Sequence, residues 1–408
     1  PVVLIELGLT PGHDLVSPAI PDTIYLGHAA RGLLLGHTPY QLGFLTSRDA
    51  QTPFVYPPLS LLLAVPAALV PGPMPYSLRF TLSMVVLLAV GVWCLAGAAR
   101  PQGRGPLALL LVTALVAMGP VLLTRVDALQ GLVLAGAALS LQRRRVWLAV
   151  VLVTLAVLAK ETVAVALVPV ALWVWFGDSA ADGDPLPQRL RSAGLGLLPA
   201  VVVLVGFLAW SRGGLLSSFA NNVHRGVEIE SLPGTVALVL RPIWPVRVGM
   251  GSLGSVQVSG QEVGWVALAF ALAGLATLVA GSVILVRQRR PLAALAFAMA
   301  VGLAASPVLS PQYLLALVPL LVLAAVLEMP AQRGLWLLLL VLCLGLLTQI
   351  EFPDLFTPLT KGAPDAVAVV ALRNLLLLLL VPLLLRSRSP AQRPKELPIP
   401  AALASAPR

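Results

Sequence analysis

Residues 77–124 read SLRFTLSMVVLLAVGVWCLAGAARPQGRGPLALLLVTALVAMGPVLLT. Two apolar runs, 77–99 and 105–124, flank a short turn that carries Arg100 and Arg104. Each run has the roughly 20 residues that a helix needs to cross a bilayer, and Arg79 is the lone charge within them. The same alternation continues outward at 128–141, 146–159, 162–176, 193–210, 263–286, 292–305, 313–328, 335–350 and 365–385. Over all 408 residues, 58% are hydrophobic and 11% charged, with a mean hydropathy of +0.94. Such a chain cannot be a water-soluble domain; it is expected to be an all-α polytopic membrane protein with eleven spans, in contact with the lipid bilayer.

The net charge of +10 does not point to nucleic acid, because the basic residues form small clusters between apolar runs. If the first run passes from outside to inside, every second loop is cytoplasmic: Arg100–Arg104, Arg143–Arg145, Asp178–Arg191, Arg287–Arg290, the Arg333 turn and the tail from Arg386. Lys and Arg are several-fold denser there than on the other side, as the positive-inside rule requires. The protein is therefore expected in the cell membrane as a multi-pass chain. It divides into an outer first loop at 1–76 with short juxtamembrane helices, a transmembrane bundle at 77–385 with a second outer loop at 211–262, and a cytoplasmic tail at 386–408. Val2–Leu9 is too short to span, so a further span is expected before Pro1. The tail is rich in Pro, Ala, Ser and Arg without apolar periodicity, and reads as disordered. Cys94 and Cys343 lie far apart inside apolar runs and read as packing residues.

Several runs are too short to cross the hydrocarbon, notably 128–141 and 146–159. Their ends should lie within the membrane around a wet, outward-facing cavity, lined by the breaks at Arg125–Asp127 and Lys160–Glu161. Ionisable groups at that depth are costly without partners. A structural reading pairs Arg125 with Asp127 and Lys160 with Glu161, or exchanges those partners. A functional reading sets Arg125 or Lys160 against an anionic substrate.

In the first outer stretch a helix is expected to open after Pro21 and end at Gly36, with Asp22 in its first turn, where the helix dipole keeps a carboxylate ionised. That suits either a helix cap or a proton acceptor. Asp14, beside His13, is the second candidate base. A second apolar helix should start at Pro57–Pro58 and run to about Val70.

The pattern D-x-x-Y (Asp22, Tyr25), then L-x-G-x-x-P-Y (Leu34 to Tyr40) and P-F-x-Y-P-P-L (Pro53 to Leu59), resembles the first outer loop of GT-C glycosyltransferases. Within that superfamily it is most similar to the polyprenol-phosphate-mannose-dependent alpha-mannosyltransferases, a glycosyltransferase family 87-like group. R-G-V-E-I-E-S at 225–231 and S-P-Q-Y-L-L at 310–315 also resemble segments of that group. The resemblance implies a GT-C-like helical bundle and an inverting hexosyl transfer, most simply of mannose, on the extracytoplasmic side. It implies a polyprenyl-phosphate sugar donor, a glycolipid or polysaccharide hydroxyl acceptor, and Asp22 as general base.

The substrate-binding residues expected on this basis are Tyr25, Tyr40, Tyr56, Arg125, Asp127, Lys160, Glu161, His224, Arg225, Glu228, Gln312 and Tyr313. Each has a plainer reading: interface anchoring for the tyrosines, capping for Gln312, and an exposed helical Arg225–Glu228 pair. His13, His28, His37 and His224 share no metal-ligand spacing, so no metal site and no cofactor are expected, with a divalent ion left open. A transporter or lipid flippase would share the hydropathy and the basic inner loops, but commonly has repeated halves, which this chain lacks. A non-catalytic scaffold of the same fold is a third alternative.

Overall fold

The structure, a computed structural model, describes residues 22–40, 54–119, 121–177, 185–223, 225–251 and 255–386; for 22, 24, 101 and 221–223 it describes the backbone alone. His13, Asp14, His224 and the tail from residue 387 therefore lie outside the described residues. Helices dominate, as a lipid-solvated chain requires, because a helix satisfies its own backbone groups without water.

In chain order the helices are α1 (Asp22–Leu34), α2 (Pro58–Leu69), α3 (Tyr76–Ala99), α4 (Arg104–Val116), α5 (Val121–Thr124), α6 (Asp127–Gln142) and α7 (Val146–Ala159). After a 3-10 turn at Glu161–Ala166 come α8 (Leu167–Phe176), α9 (Leu186–Ser211), α10 (Gly214–Val223), α11 (Leu232–Val239), α12 (Gln261–Arg287), α13 (Pro291–Ala305), α14 (Tyr313–Leu327), α15 (Ala331–Gln349), α16 (Phe356–Thr360) and α17 (Pro364–Arg386). Apart from 105–124, each expected apolar run from 77 to 385 coincides with helix. By length and hydropathy, five helical stretches can cross a bilayer: α3, α9, α12, Ala331–Thr360 and α17. The others are shorter; α13 and α14 have 15 residues each, about 22 Å at 1.5 Å per residue.

Those two short helices form the centre. From Leu292 to Ala300 and from Leu314 to Ala325 every side chain is buried, which only a helix apolar on all sides can sustain. Around them stand α6, α12, α15 and α17, while α9 packs farther out against α7. The apolar window of α9 is just 6% buried, so its outer face is left for lipid. Gly131 of α6 lets the backbone of α14 approach closely: a Cβ there would lie 2.7 Å from the Ala316 carbonyl oxygen.

One end of the bundle is tied by arginines. Arg143 donates to the carbonyl of Ala98, Arg290 to Leu384 at 3.0 Å, Arg333 to Arg386 at 2.5 Å and Arg189 to Gly177. Each supplies donors and positive charge at the C-terminal end of a helix or just beyond it. Beside them Glu328 accepts from the Leu292 and Ala293 amides at 3.0 and 2.8 Å and so caps α13.

Two departures from expectation have local causes. The run 105–124 is not one helix: it ends at Val116, turns through Gly119 at φ 79°, and resumes as α5. Gln349 makes the break possible by donating to the exposed carbonyl of Ala117 at 2.6 Å. The second outer stretch holds a three-stranded antiparallel sheet, β1 (Val227–Glu228), β2 (Arg247–Met250) and β3 (Val256–Ser259), in the order β1-β3-β2. The run 335–350 ends as expected: Ala331–Thr360 is bent through a π-type turn at Ile350–Leu355, where Pro353 cannot donate to the helical ladder. The expected end of α1 is met: Gly36 is left-handed at φ 80°, Gly36 N–H bonds Leu33 O at 3.0 Å and His37 N–H bonds Gly32 O at 2.9 Å, a Schellman closure.

Candidate functional site

At the end of the bundle opposite the arginine ties, the breaks α5–α6 and α7–3-10 face each other. Lys160 caps α7 in an extended conformation, φ −164° and ψ 129°, which swings its side chain off the helix axis. Its Nζ lies 3.0 and 3.1 Å from the two carboxylate oxygens of Asp127, the first residue of α6. Both side chains are almost wholly buried. Of the two pairings open to the sequence, Lys160 thus takes the exchanged one. Adjacent residues such as Lys160 and Glu161 do not share a face, whereas two helix ends brought together by packing do.

The backbone of this break is held by side chains the sequence did not single out. Gln130 donates to the carbonyls of Ala156 and Lys160 at 2.7 and 3.1 Å, and Ser60 of α2 donates to Ala159. The last carbonyls of α7 are thereby satisfied without water, which buried chain ends require.

Aromatic faces surround the Lys160 ammonium. The Tyr313 ring centroid is 4.4 Å from Nζ and that of Tyr56 is 5.7 Å, both within cation–π range. Tyr313 opens α14 and also lies beside Arg225, so one side chain neighbours two cations. Arg225 is paired with Glu228. That pair is neither helical nor exposed: Glu228 lies in β1 and is 2% exposed. The sheet is the cause, since Val227 and Glu228 pair with Val258 and Gln257 of β3. Burial raises the Glu228 carboxyl above the ordinary carboxylate range, with Arg225 pulling the other way. Burial also works against the Arg225 charge, but Glu228 and Tyr313 outweigh it and hold the guanidinium above its usual value. Glu161, next in chain to Lys160, feels the charges of Lys160, Arg225 and Asp127.

A small cavity opens onto this cluster, lined by Leu26, Tyr56, Ser60, Thr124, Arg125, Asp127 and Lys160. Leu26 belongs to α1 and stands four residues on from Asp22. Of the expected site residues, Tyr56, Arg125, Asp127, Lys160, Glu161, Arg225, Glu228 and Tyr313 are brought together. Gln312 stands half-buried beside Tyr313 at the start of α14.

Tyr25 and Tyr40 are both tied into the neighbouring loop. The Tyr25 hydroxyl accepts from the Val55 amide at 2.9 Å and its ring stacks on Phe54 at 5.3 Å. Tyr40 is 1% exposed, donates to the Tyr56 carbonyl at 2.9 Å, and has its hydroxyl pKa raised by burial. A ring sealed that far from solvent cannot stack on a sugar; these tyrosines brace the loop that carries Tyr56. Among the described residues no group of His, Cys, Asp and Glu could hold a metal ion.

A second polar cluster escaped the sequence reading. Arg373 of α17 pairs with Glu351 and donates to the Glu230 carbonyl at 2.6 Å, while Asn374 donates to Glu230 O at 3.1 Å and to Thr235 Oγ1 at 2.7 Å. An arginine inside one apolar run and a glutamate at the end of another were the available signal.

A bundle of membrane-length helices with a cavity at one end, lined by Lys160, Arg125 and Asp127, defines the class: a polytopic membrane protein. The family model for glycosyltransferase family 87 matches residues 54–311, more than half of the chain. The chain belongs to that family, and is a membrane glycosyltransferase. The match takes in Tyr56, Arg125, Asp127, Lys160, Glu161, Arg225 and Glu228, and leaves Asp22, Tyr25, Tyr40, Gln312 and Tyr313 outside. No curated protein matches the chain. Similar solved structures include ArnT from Cupriavidus metallidurans in the apo state, 16% identical with a TM-score of 0.44. They also include ArnT from the same organism bound to undecaprenyl phosphate, 17% identical with a TM-score of 0.44; each match covers 94% of this chain and 75% of that one.

Proposed function

We propose that this glycosyltransferase moves a hexose, mannose by family resemblance, from a polyprenyl-phosphate donor to a hydroxyl of a glycolipid or polysaccharide on the outer face, with inversion. The observation that carries the reading is the buried Lys160 ammonium, fixed by Asp127 and two tyrosine faces in the wall of a cavity that also includes Arg125. A monoester or diester phosphate at membrane depth needs a cation to meet it. Lys160 and Arg125 line that cavity, and Arg225 reaches the cluster through Tyr313.

In the reaction the acceptor O–H gives its proton to the Asp22 carboxylate as its oxygen attacks the anomeric carbon. The bond from that carbon to the phosphate oxygen breaks, and the electron pair leaves on the phosphate, where Lys160 and Arg125 stabilise the added charge. Attack opposite the leaving group inverts the configuration. Asp22 begins α1, whose Leu26 lines the same cavity, and this supports its role as base. Glu161 Oε2 is buried without a hydrogen-bond partner among the described residues, which suits it to accept a sugar hydroxyl. The active site then faces the extracytoplasmic side, and the arginine-tied end with the C-terminal tail faces the cytoplasm.

The test is Asp22→Asn in membranes supplied with radiolabelled polyprenyl-phosphate mannose. Transfer should be lost while the protein stays inserted at wild-type levels. Undiminished incorporation by the variant removes Asp22 from the mechanism, and incorporation from another hexose but not from mannose corrects the donor.

A further inference from the structure

Glu230 and Glu351 sit together in the interior beneath the second outer stretch. Glu230 is 6% and Glu351 0% exposed, Glu230 feels the charge of Glu351, and one oxygen of each, Oε1, is buried without a hydrogen-bond partner among the described residues. Two ionised carboxylates cannot satisfy each other, because neither has a donor, whereas one shared proton bonds the pair. One arginine faces them, Arg373, itself 1% exposed and paired with Glu351. Two carboxylates against one guanidinium would leave a negative charge uncompensated in the interior, a penalty of several kcal/mol. The cluster therefore holds one proton: Glu351 is the carboxylate that answers Arg373, and Glu230 is the acid that donates to Glu351. Burial and the Glu351 charge hold Glu230 well above the ordinary carboxylate range. The charged groups that face Glu230 are Glu351 from the π-type turn, Arg373 from α17 and Glu228 from β1.

The position of this cluster in the chain gives it a task. Glu230 is the sixth residue of the segment that starts at Arg225, and the segment is pinned along its length. Glu228 N–H bonds Pro307 O at 2.8 Å, Ile229 N–H bonds Val256 O at 3.1 Å, and Glu230 O takes donors from Arg373 and Asn374. Ser231 then caps α11 through the Gly234 amide at 3.0 Å. These pins fix where Arg225 meets Tyr313, beside Lys160.

We propose that Glu230, Glu351 and Arg373 form a proton-holding latch that positions Arg225 for the donor phosphate by clamping the 225–231 segment to α17. They are positioning residues and touch no substrate. The proposal rests on the reading of Lys160, Arg125 and Arg225 as the donor-phosphate site. When the shared proton leaves, Glu230 and Glu351 repel, the segment loosens, and Arg225 leaves its place at Tyr313.

Glu230→Gln keeps an amide donor for Glu351 without a titratable proton, so it should transfer at wild-type rate near neutral pH and lose the decline that the wild type shows as pH rises. Glu230→Ala should lower kcat/KM for the donor on the order of 100-fold, the cost of about 1 Å of misplacement, and leave the acceptor KM unchanged. A readout independent of activity is hydrogen–deuterium exchange at 225–231 in detergent. Wild type should be protected at neutral pH and exchange faster when more alkaline, Glu230→Gln should be protected at both, and Glu230→Ala at neither. If wild type and Glu230→Gln exchange alike at both pH values, the latch is wrong whatever the transfer assay gives. If exchange follows the stated pattern while wild type transfers no polyprenyl-phosphate sugar, the latch stands as a structural device and the donor-site reading fails.

Discussion

Replacing Lys160 by Met separates the structural role of that side chain from the one proposed for it. The ammonium neutralises Asp127, which is 0% exposed, through contacts of 3.0 and 3.1 Å. Removing one partner of such a pair costs about 3–5 kcal/mol, because the other charge stays buried and unpaired. The lost cation–π contacts with Tyr313 and Tyr56 add up to about 2 kcal/mol. Lys160→Met should therefore lower the melting temperature in detergent by many degrees. Lys160→Met with Asp127→Leu removes both charges, and replacing a whole buried pair by apolar groups is often neutral, so the double variant should recover most of that loss. Activity should not recover with it: losing one preorganised donor to a developing oxyanion costs about 100- to 1,000-fold in rate. The assay is thermal unfolding of the two single variants and the double, beside transfer from labelled donor. A folded double variant with wild-type transfer would refute Lys160 as a phosphate ligand. A single variant that melts with wild type would refute the buried pair.

Gly131→Ala should destabilise the α6–α14 crossing by about 1–3 kcal/mol, since the new methyl meets the carbonyls of Ala316 and Leu315 at 2.7 and 2.9 Å. Gly194→Ala on α9, with nothing within 4 Å, should be neutral or stabilising, and melting curves of the two variants decide. Glu228 is raised in the folded state by burial. Its contribution to stability is thus complete below the unfolded carboxyl value of about 4.3 and is lost as pH rises through the higher folded value. Wild type should lose melting temperature relative to Glu228→Gln across that window, and parallel curves would contradict the buried carboxyl.

The apolar runs and their arginine turns were readable because lipid imposes one rule on every residue of a span: backbone groups must be satisfied within it and side chains must be apolar. The breaks at Arg125–Asp127 and Lys160–Glu161 were readable for the same reason, as ionisable groups where the rule forbids them. The pairing across those breaks was not, because it depends on how two helix ends pack. The sheet of the second outer stretch was hidden too. Its strands of two and four residues are too short for an alternating pattern to stand out.

The distance between partners in sequence marks the boundary. Asp127 and Lys160 are 33 residues apart, Glu230 and Arg373 143. Periodicity and charge act along the chain, so the sequence alone determined a helical membrane protein with ionisable groups at its helix breaks, and its motifs pointed to the family. Which cation meets which carboxylate, that Tyr313 neighbours Lys160 and Arg225, and that Tyr40 is sealed away from any substrate were decided by tertiary packing alone. Burial removes the water that would otherwise screen each charge, and it leaves only the partners that the fold brings within about 3 Å.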